Sequence, residues 1–339
     1  MPVAQPFRAA SPFRKKWAAY LHPQHPVDAY RIAGNTITLQ TADPVLRQLF
    51  RDQWGQFRIA APKVSEIHAA IRVTDPEPTA PITLKSWHGF VSDRFVFLSD
   101  RKRYLLTGYL REHPWQIDCV TLARWDPRFV YYHLIEPLLL DLLKRLGVLV
   151  WHGAAVAKNG RAVLLSGVSG SGKSTTTLNL LRLGYRFIAD DVVLLRAGKA
   201  GIEVTGWERA VFLTDRSLDL LPEWRRLRSG RRHKRGRQWK HRIDLSGFAA
   251  PAGAVATVKS LVFPHVAGGT HTILERLTPT SALLQCLQQP PKEFPATILP
   301  AAVDRQLDLY TRLVRTAAAY RVHLGADQER IRAVLERLR

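Results

Sequence analysis

The sequence predicts an α/β domain organised around a glycine-rich loop, preceded by a smaller α+β domain with an antiparallel sheet. Three observations carry this prediction. The apolar run Ala162–Ser166 leads directly into Gly167–Ser174 and a helical pattern follows, the strand–loop–helix order of an α/β unit. Upstream, short strand-like runs separated by turn signals dominate instead. A length of 339 residues suits two domains at roughly 100–200 residues each. The pattern changes near residue 147, dividing the chain into 1–146 and 147–339.

Taken in order, residues 1–26 read as an irregular lead-in with several prolines. Tyr30–Leu39 alternates apolar and polar positions around Gly34-Asn35, which predicts a hairpin. Asp43 offers an N-cap, Pro44 suits the first helical position, and Val45, Leu46, Leu49 and Phe50 recur at helical spacing. Ile67–Val73 predicts a strand, Asp75–Pro81 a loop, and Ile82–Leu84, Phe90–Val91, Phe95–Leu98 and Tyr104–Tyr109 a strand meander. Asp126-Pro127 opens a long helical pattern ending near Gly147. Beyond it, Val148–Val156 and Ala162–Ser166 flank a tight turn at Lys158-Asn159-Gly160. A helix from Ser174 to Leu183, closed by Gly184, precedes a strand Arg186–Ala189 that ends in Asp190-Asp191. Thr257–Phe263 and Tyr320–Leu324 predict strands. Val303, Leu307, Tyr310 and Val314 predict an amphipathic helix, as do Ile331, Val334, Leu335 and Leu338.

Composition narrows the classes. With 46% hydrophobic and 23% charged residues, a disordered tail or a fibrous repeat is excluded. The first residues lack the apolar core of a secretory leader, although their Arg-rich, acid-free character has a trace of a transit peptide. No run is apolar enough for a membrane span: Leu134–Trp151 is broken by Glu136, Pro137, Asp141, Lys144 and Arg145. Cys119 and Cys286 are too few for a disulfide framework, which points to a reducing, cytoplasmic setting. The net charge of +22 is concentrated: Arg225 to Arg242 holds ten Lys/Arg and no Asp or Glu. Such a run attracts phosphates, acidic peptides or anionic surfaces.

The segment Gly167-Val168-Ser169-Gly170-Ser171-Gly172-Lys173-Ser174 fits the phosphate-loop pattern G-x-x-x-x-G-K-[ST] without deviation. Its glycines let successive backbone N–H groups turn inward onto phosphate oxygens, and the following helix adds the positive end of its dipole. Lys173 suits the outer phosphates of ATP and the Ser174 hydroxyl suits Mg²⁺. Asp190-Asp191 ends the next strand, where ligands of open α/β sheets bind. Adjacent strand residues point to opposite sides, so unless the strand has already ended the two carboxylates are expected to divide the work: one with the metal, one accepting a proton from an attacking hydroxyl. His152-Gly153 lies upstream, at the end of Val148–Trp151.

Together, His152-Gly153, the loop GVSGSGKS and the segment Gly184–Asp191 resemble, in residues and in separation, the catalytic domain of bacterial HPr kinase/phosphorylase. The sequence also resembles HPr-kinase-like proteins of lasso-peptide and other peptide-modification gene clusters, which keep the kinase core and replace the amino-terminal domain. The resemblance is firm over residues 148–195. It implies an α/β P-loop kinase domain of the HPr kinase/PEP carboxykinase type that uses ATP and Mg²⁺. It implies further that Gly167–Thr175 bind nucleotide, Lys173 holds the transferring phosphate, and Ser174 and Asp190 bind the metal. Asp191 would be the base and His152 would hold the phosphate and nucleophile region. A further metal-binding glutamate of the family corresponds to Glu208. Two departures bear on the substrate: members that act on HPr carry Glu directly after the loop serine, where this chain has Thr175, and the longer signature around the downstream glutamate that helps engage HPr is not found. The expected acceptor is accordingly a Ser hydroxyl of another protein or of a precursor peptide, and a homo-oligomer is allowed.

The basic loop 225–242 carries Trp239 among its charges, and its Lys240 and Arg242 are the candidates for reaching substrate or phosphate. Basic residues interleaved with an aromatic also suit single-stranded nucleic acid. The alternative reading is a basic P-loop ATPase that binds nucleic acid or another anionic partner. Trp87-His88 is assigned to packing, with 1–146 presenting the substrate.

Overall fold

The computed structural model describes residues 27–60, 62, 65–74, 88–91, 95–100, 104–109, 115–122, 131, 135–207, 210–235, 238–251, 254–288 and 300–338. The segments expected as a lead-in (1–26), a loop (75–81) and a strand (82–84), with Trp87, Asp126-Pro127 and Glu208, lie outside the described residues. The chain divides into two compact units, the first ending at Glu136 and the second running from Pro137, with Ile32–Gly34 grouped with the second.

The first unit contains β1 (Val27–Ile32), β2 (Asn35–Thr41), α1 (Pro44–Trp54), β3 (Arg58–Ile59), β4 (Ile67–Thr74), β5 (His88–Val91), β6 (Phe95–Asp100), β7 (Tyr104–Tyr109) and β8 (Trp115–Leu122). Both central residues of the β1–β2 turn, Ala33 and Gly34, have positive φ, so the turn stands one residue earlier than Gly34-Asn35. Helix α1 starts as expected: the Asp43 carboxylate accepts from the Leu46 amide at 2.8 Å and Pro44 follows.

The expected antiparallel meander is present as β5-β6-β7, but the main sheet of this unit is not antiparallel throughout. Among the described residues the main sheet is mixed, in the order β3-β1-β2-β4-β8, with β2–β4 and β4–β8 parallel. The cause is connectivity. A helix between β2 and β4 makes a crossover rather than a hairpin, and the antiparallel meander β5-β6-β7 forms a separate three-stranded sheet in the β4–β8 connection.

Tyr30, Phe50, Trp54 and Tyr131 meet edge to face in the core of this unit. Beside them, buried Asp28 is gripped by Arg47 at 2.6 Å, Arg51 at 3.0 Å and Arg58 at 3.4 Å. Burial pushes the Asp28 carboxyl up, but hydrogen bonds from Arg47 and Arg51 outweigh it and hold the group below its usual range. Asp28 therefore stabilises the fold above about pH 4, and the benefit is lost as pH falls further. Asp28→Ala leaves converging guanidinium groups without a counter-charge. Discounted for the partial exposure of the arginines, the expected loss is about 2 kcal/mol. Urea titration checks this, and an unchanged midpoint would contradict it.

The second unit opens with α2 (Glu136–Arg145), β9 (Leu149–Trp151), β10 (Gly153–Lys158), β11 (Arg161–Ser166), α3 (Lys173–Arg182) and β12 (Arg186–Ala189). It continues with β13 (Val193–Gly198), β14 (Gly201–Gly206), β15 (Ala210–Leu213), α4 (Asp215–Leu220), β16 (Arg228–Arg235) and β17 (Gln238–Asp244). The last elements are β18 (Ala256–Val266), β19 (Ile273–Arg276), α5 (Pro279–Leu287), α6 (Pro300–Thr316), β20 (Ala318–Leu324) and α7 (Gln328–Leu335).

The main path runs β12-β10-β11-β18-β14-β13-β9, with β20 beside β18 and β19 beside β20. Strands β11, β18 and β20 are parallel. Strand β18 spans 11 residues because one side serves two neighbours: β14 at Ala256 and Thr257, then β20 from Ser260 onward. Side chains alternate between two cores. Ala162 and Leu164 face α5 and α6, while Val163 and Leu165 face α3 and α7, so β11 is apolar on both sides. Each such Leu contributes about 1.5–3 kcal/mol by burial.

Two further expectations change. The run Val148–Val156 is two strands: β9 pairs with β13, β10 with β11 and β12, and the break falls at His152. The basic segment 225–242 is largely not a loop. Strands β16 and β17 form an antiparallel hairpin joined to β15, because Ile243 buries its side chain with Val211 and Leu213 in the core beneath. No helix among the described residues is long and apolar enough to cross a membrane.

Candidate functional site

The glycine loop leaves the carboxyl end of β11, beside the ends of β18 and β20. Gly172 stands at the N-cap of α3 with φ +101, and no side chain caps that helix start. The left-handed φ calls for glycine at 172, and an added Cβ would press on the tip of the Leu324 side chain of β20. The helix begins at Lys173, one residue before the expected Ser174. It closes as expected at Gly184, φ +83, where the Tyr185 amide reaches the Leu180 carbonyl and the Gly184 amide that of Leu181.

Within the loop, Val168, Ser169 and Gly170 are exposed, Gly167 is buried, and Ser171 to Thr175 are half-buried. The Lys173 ammonium donates to the carbonyls of Gly167 and Val168, across the mouth of the loop. The hydroxyl oxygens of Ser166 and Ser171 are buried without a hydrogen-bond partner among the described residues. Buried polar groups left this way are costly unless a ligand satisfies them.

Strand β12 ends at Ala189, so Asp190 and Asp191 lie in the turn after it and the alternation expected of strand neighbours does not apply. Their division arises differently. Asp190 is 7% exposed and accepts from the Ser174 hydroxyl at 3.2 Å. Asp191 takes φ +76, which rotates its side chain away and leaves that side chain 36% exposed. Positive φ is uncommon outside glycine, and Asp is among the residues that tolerate it. The turn is held by the Asp191 amide, which donates to the Asp190 carboxylate at 3.1 Å, and by His152 Nδ1, 3.0 Å from the Asp191 carbonyl and 3.4 Å from its carboxylate. The break between β9 and β10 is what carries His152 to this turn.

Burial and the neighbouring Asp191 charge push the Asp190 carboxyl up to about 6, against the pull of Lys173, the Ser174 hydrogen bond and Lys240. Lys240 therefore stands within electrostatic reach of the site. Arg242, two residues along β17, reaches the Ser229 hydroxyl at 3.5 Å instead. Among the described residues no three His, Cys, Asp or Glu side chains gather around a metal position. A Mg²⁺ site does not need three, since this ion takes one or two carboxylates with water and substrate phosphates. The oxygen pair Ser174 and Asp190 fits it.

The sequence reading missed two groups. Phe212 and His233 pack edge to face at 5.5 Å on the β15–β17 sheet, opposite Arg242 and Lys240 respectively. No local signal marks either ring; the strand register brings them beside Arg242 and Lys240, which the alternation of QWKHRID sets on one face with His241 and Ile243 on the other.

Comparison with known proteins adds a separate line. Residues 147–211 match the family model described as HPr Serine kinase C-terminal domain. The HPr kinase/phosphorylase of Geobacillus sp. (strain WCH70) is 45% identical over 53 residues, 16% of this chain and 17% of that one. That of Lactobacillus acidophilus is 48% identical over 60 residues, 18% of each chain. The matched segment thus spans less than a fifth of either relative. The solved Hpr(Ser) kinase/phosphatase from Coxiella burnetii aligns over 56% of this chain and 88% of that one, with a TM-score of 0.28 and 12% identity. The strand–loop–helix–strand core and its two aspartates fall inside residues 147–211, and over this segment the chain is similar to the HPr Serine kinase C-terminal domain.

Proposed function

We propose that the protein transfers the γ-phosphate of ATP, with Mg²⁺, to a hydroxyl, most simply a Ser of a protein or precursor peptide in the cytoplasm, with Asp191 as the base. One observation supports this above the others: two adjacent carboxylates in different environments beside the glycine loop, Asp190 buried on Ser174 and Asp191 half-buried beside His152.

The chain's own groups have separable tasks. Backbone amides of Gly167–Thr175 and the start of α3 receive the phosphates of ATP. Lys173 exchanges its carbonyl partners for the outer phosphates and offsets negative charge there as transfer proceeds. Ser174 and Asp190 would hold Mg²⁺, which when bound neutralises charge on the β- and γ-phosphates; Glu208 is a further candidate ligand. The Asp191 carboxylate accepts the proton of the hydroxyl as its oxygen bonds to the γ-phosphorus and the bond to ADP breaks. His152 keeps the Asp191 turn in place and acts as a positioning residue. Residues 147–339 are the transfer domain in this reading, and 1–146 present the substrate.

Incubation with γ-³²P-labelled ATP and candidate Ser-containing peptides tests the proposal. Label should appear on a peptide. Label released only as free phosphate, and faster with nucleic acid, would instead assign a basic P-loop ATPase. His152→Ala loses about one hydrogen bond of positioning, so kcat should fall about tenfold with KM for ATP little changed. An unaltered kcat would remove His152 from the site.

A further inference from the structure

Resting on the phosphotransfer reading above, we propose that the acceptor is an extended acidic peptide segment whose carboxylates, two residues apart, are read by Lys240 and Arg242 on β17.

The face of the hairpin decides which side chains are available. Ile243 turns into the core with Val211 and Leu213, and His241 shares that face. Lys240 and Arg242 point the other way, together with Phe212 and His233 from the flanking strands. The sheet that carries Lys240 packs through Val211, Leu213 and Ile243 on Leu178 and Leu181 of α3, the helix that begins at the glycine loop, and Lys240 lies within electrostatic reach of Asp190.

These two cations are also unspent. Arg225 is paired with Asp219, and Arg232 with Asp215. Neither Lys240 nor Arg242 forms an ion pair with a carboxylate among the described residues. Asp244, next on the same face, feels the Arg242 charge but accepts from the Ser246 amide. Alternate residues of a strand lie about 6.6–6.8 Å apart. An extended peptide has the same repeat, so acidic residues at i and i+2 can meet both cations while a Ser beyond the Lys240 end reaches Asp191. Nucleic acid suits the face less well. Trp239, 57% exposed, alternates onto the opposite face from Lys240 and Arg242, and the rings beside the cations, Phe212 and His233, pack on each other.

Fluorescence anisotropy with the full chain and labelled dodecapeptides reads docking without any phosphoryl transfer, so a docking failure and a transfer failure are told apart. One peptide of Gly and Ser carries Glu at alternate positions, a second carries Gln there, and a third Lys. The Glu peptide should bind about 10- to 100-fold tighter than the Gln peptide. Lys240→Glu/Arg242→Glu should reverse the preference, binding the Lys peptide at least tenfold better than the unmodified chain does, a gain that mere loss of structure cannot produce. If that variant does not fold, Lys240→Gln carries the same comparison and should weaken the Glu peptide alone. Three results overturn the assignment: equal binding of Glu and Gln peptides, oligothymidylate of equal charge bound as tightly, or substitutions that change ATP affinity and leave peptide affinity intact.

Discussion

Asp191→Asn should lower the rate of phosphoryl transfer by about 10²–10⁴-fold while nucleotide affinity stays near that of the unmodified chain. Asparagine is the informative replacement because it keeps the shape of the side chain and tolerates the left-handed backbone at φ +76. It also retains an oxygen near His152, so the turn should survive and only the proton-accepting capacity is lost. Single-turnover kinetics with equilibrium binding of an ATP analogue separate the two quantities. Transfer at the full rate would remove the base assignment.

Asp190→Asn should act in the opposite sense on stability. The Asp190 carboxyl is raised to about 6, chiefly by burial and then by the charge of Asp191. The folded chain therefore holds this proton more tightly than the unfolded chain, whose carboxyl titrates near 3.8. Stability falls as pH rises between those two values, and above about 6 the whole penalty is present. Two pKa units correspond to about 3 kcal/mol, so the Asn variant should melt several degrees higher at pH 7.5 without metal and show no difference at pH 3. The same substitution removes a negative oxygen from the proposed Mg²⁺ position. In the unmodified chain, Mg²⁺ and the proton compete for Asp190, so metal affinity should strengthen as pH rises through about 6. In the Asn variant that pH dependence should vanish. Equal melting temperatures at pH 7.5, or an unchanged pH profile of Mg²⁺ binding, would contradict this role for Asp190.

Local signals account for what could be read from the sequence. Strand β11, the glycine loop, α3 and β12 follow one another in a stretch where apolar runs, glycines and a helix stop leave little freedom, and the boundaries fall within a residue of expectation. The N-cap at Asp43 is equally local. What stayed hidden depends on partners distant in sequence. Ten cations between 225 and 242 read as a loop by charge, yet pairing with β15 and the burial of Ile243 draw most of them into strands. A continuous apolar run concealed the break at His152, because periodicity cannot tell one buried strand from two that part to different neighbours. The parallel pairs of the first sheet were missed for a like reason: hairpin signals show where strands turn, not which strand they join. At the site, the residue types at 152, 173, 174, 190 and 191 were legible. The backbone turn that hides one carboxylate and exposes the other was not, since a positive φ at an aspartate leaves no mark in the sequence.

A crystal structure of the full chain with Mg²⁺ and a non-hydrolysable ATP analogue tests the central claim most directly. The account predicts the triphosphate seated in Gly167–Ser174, the metal on Ser174 and Asp190, and the Asp191 carboxylate facing the outermost phosphorus across a gap wide enough for a hydroxyl oxygen. Phosphates bound elsewhere, or Asp191 turned away with no path for an alcohol, would contradict it and leave at most a nucleotide-binding role.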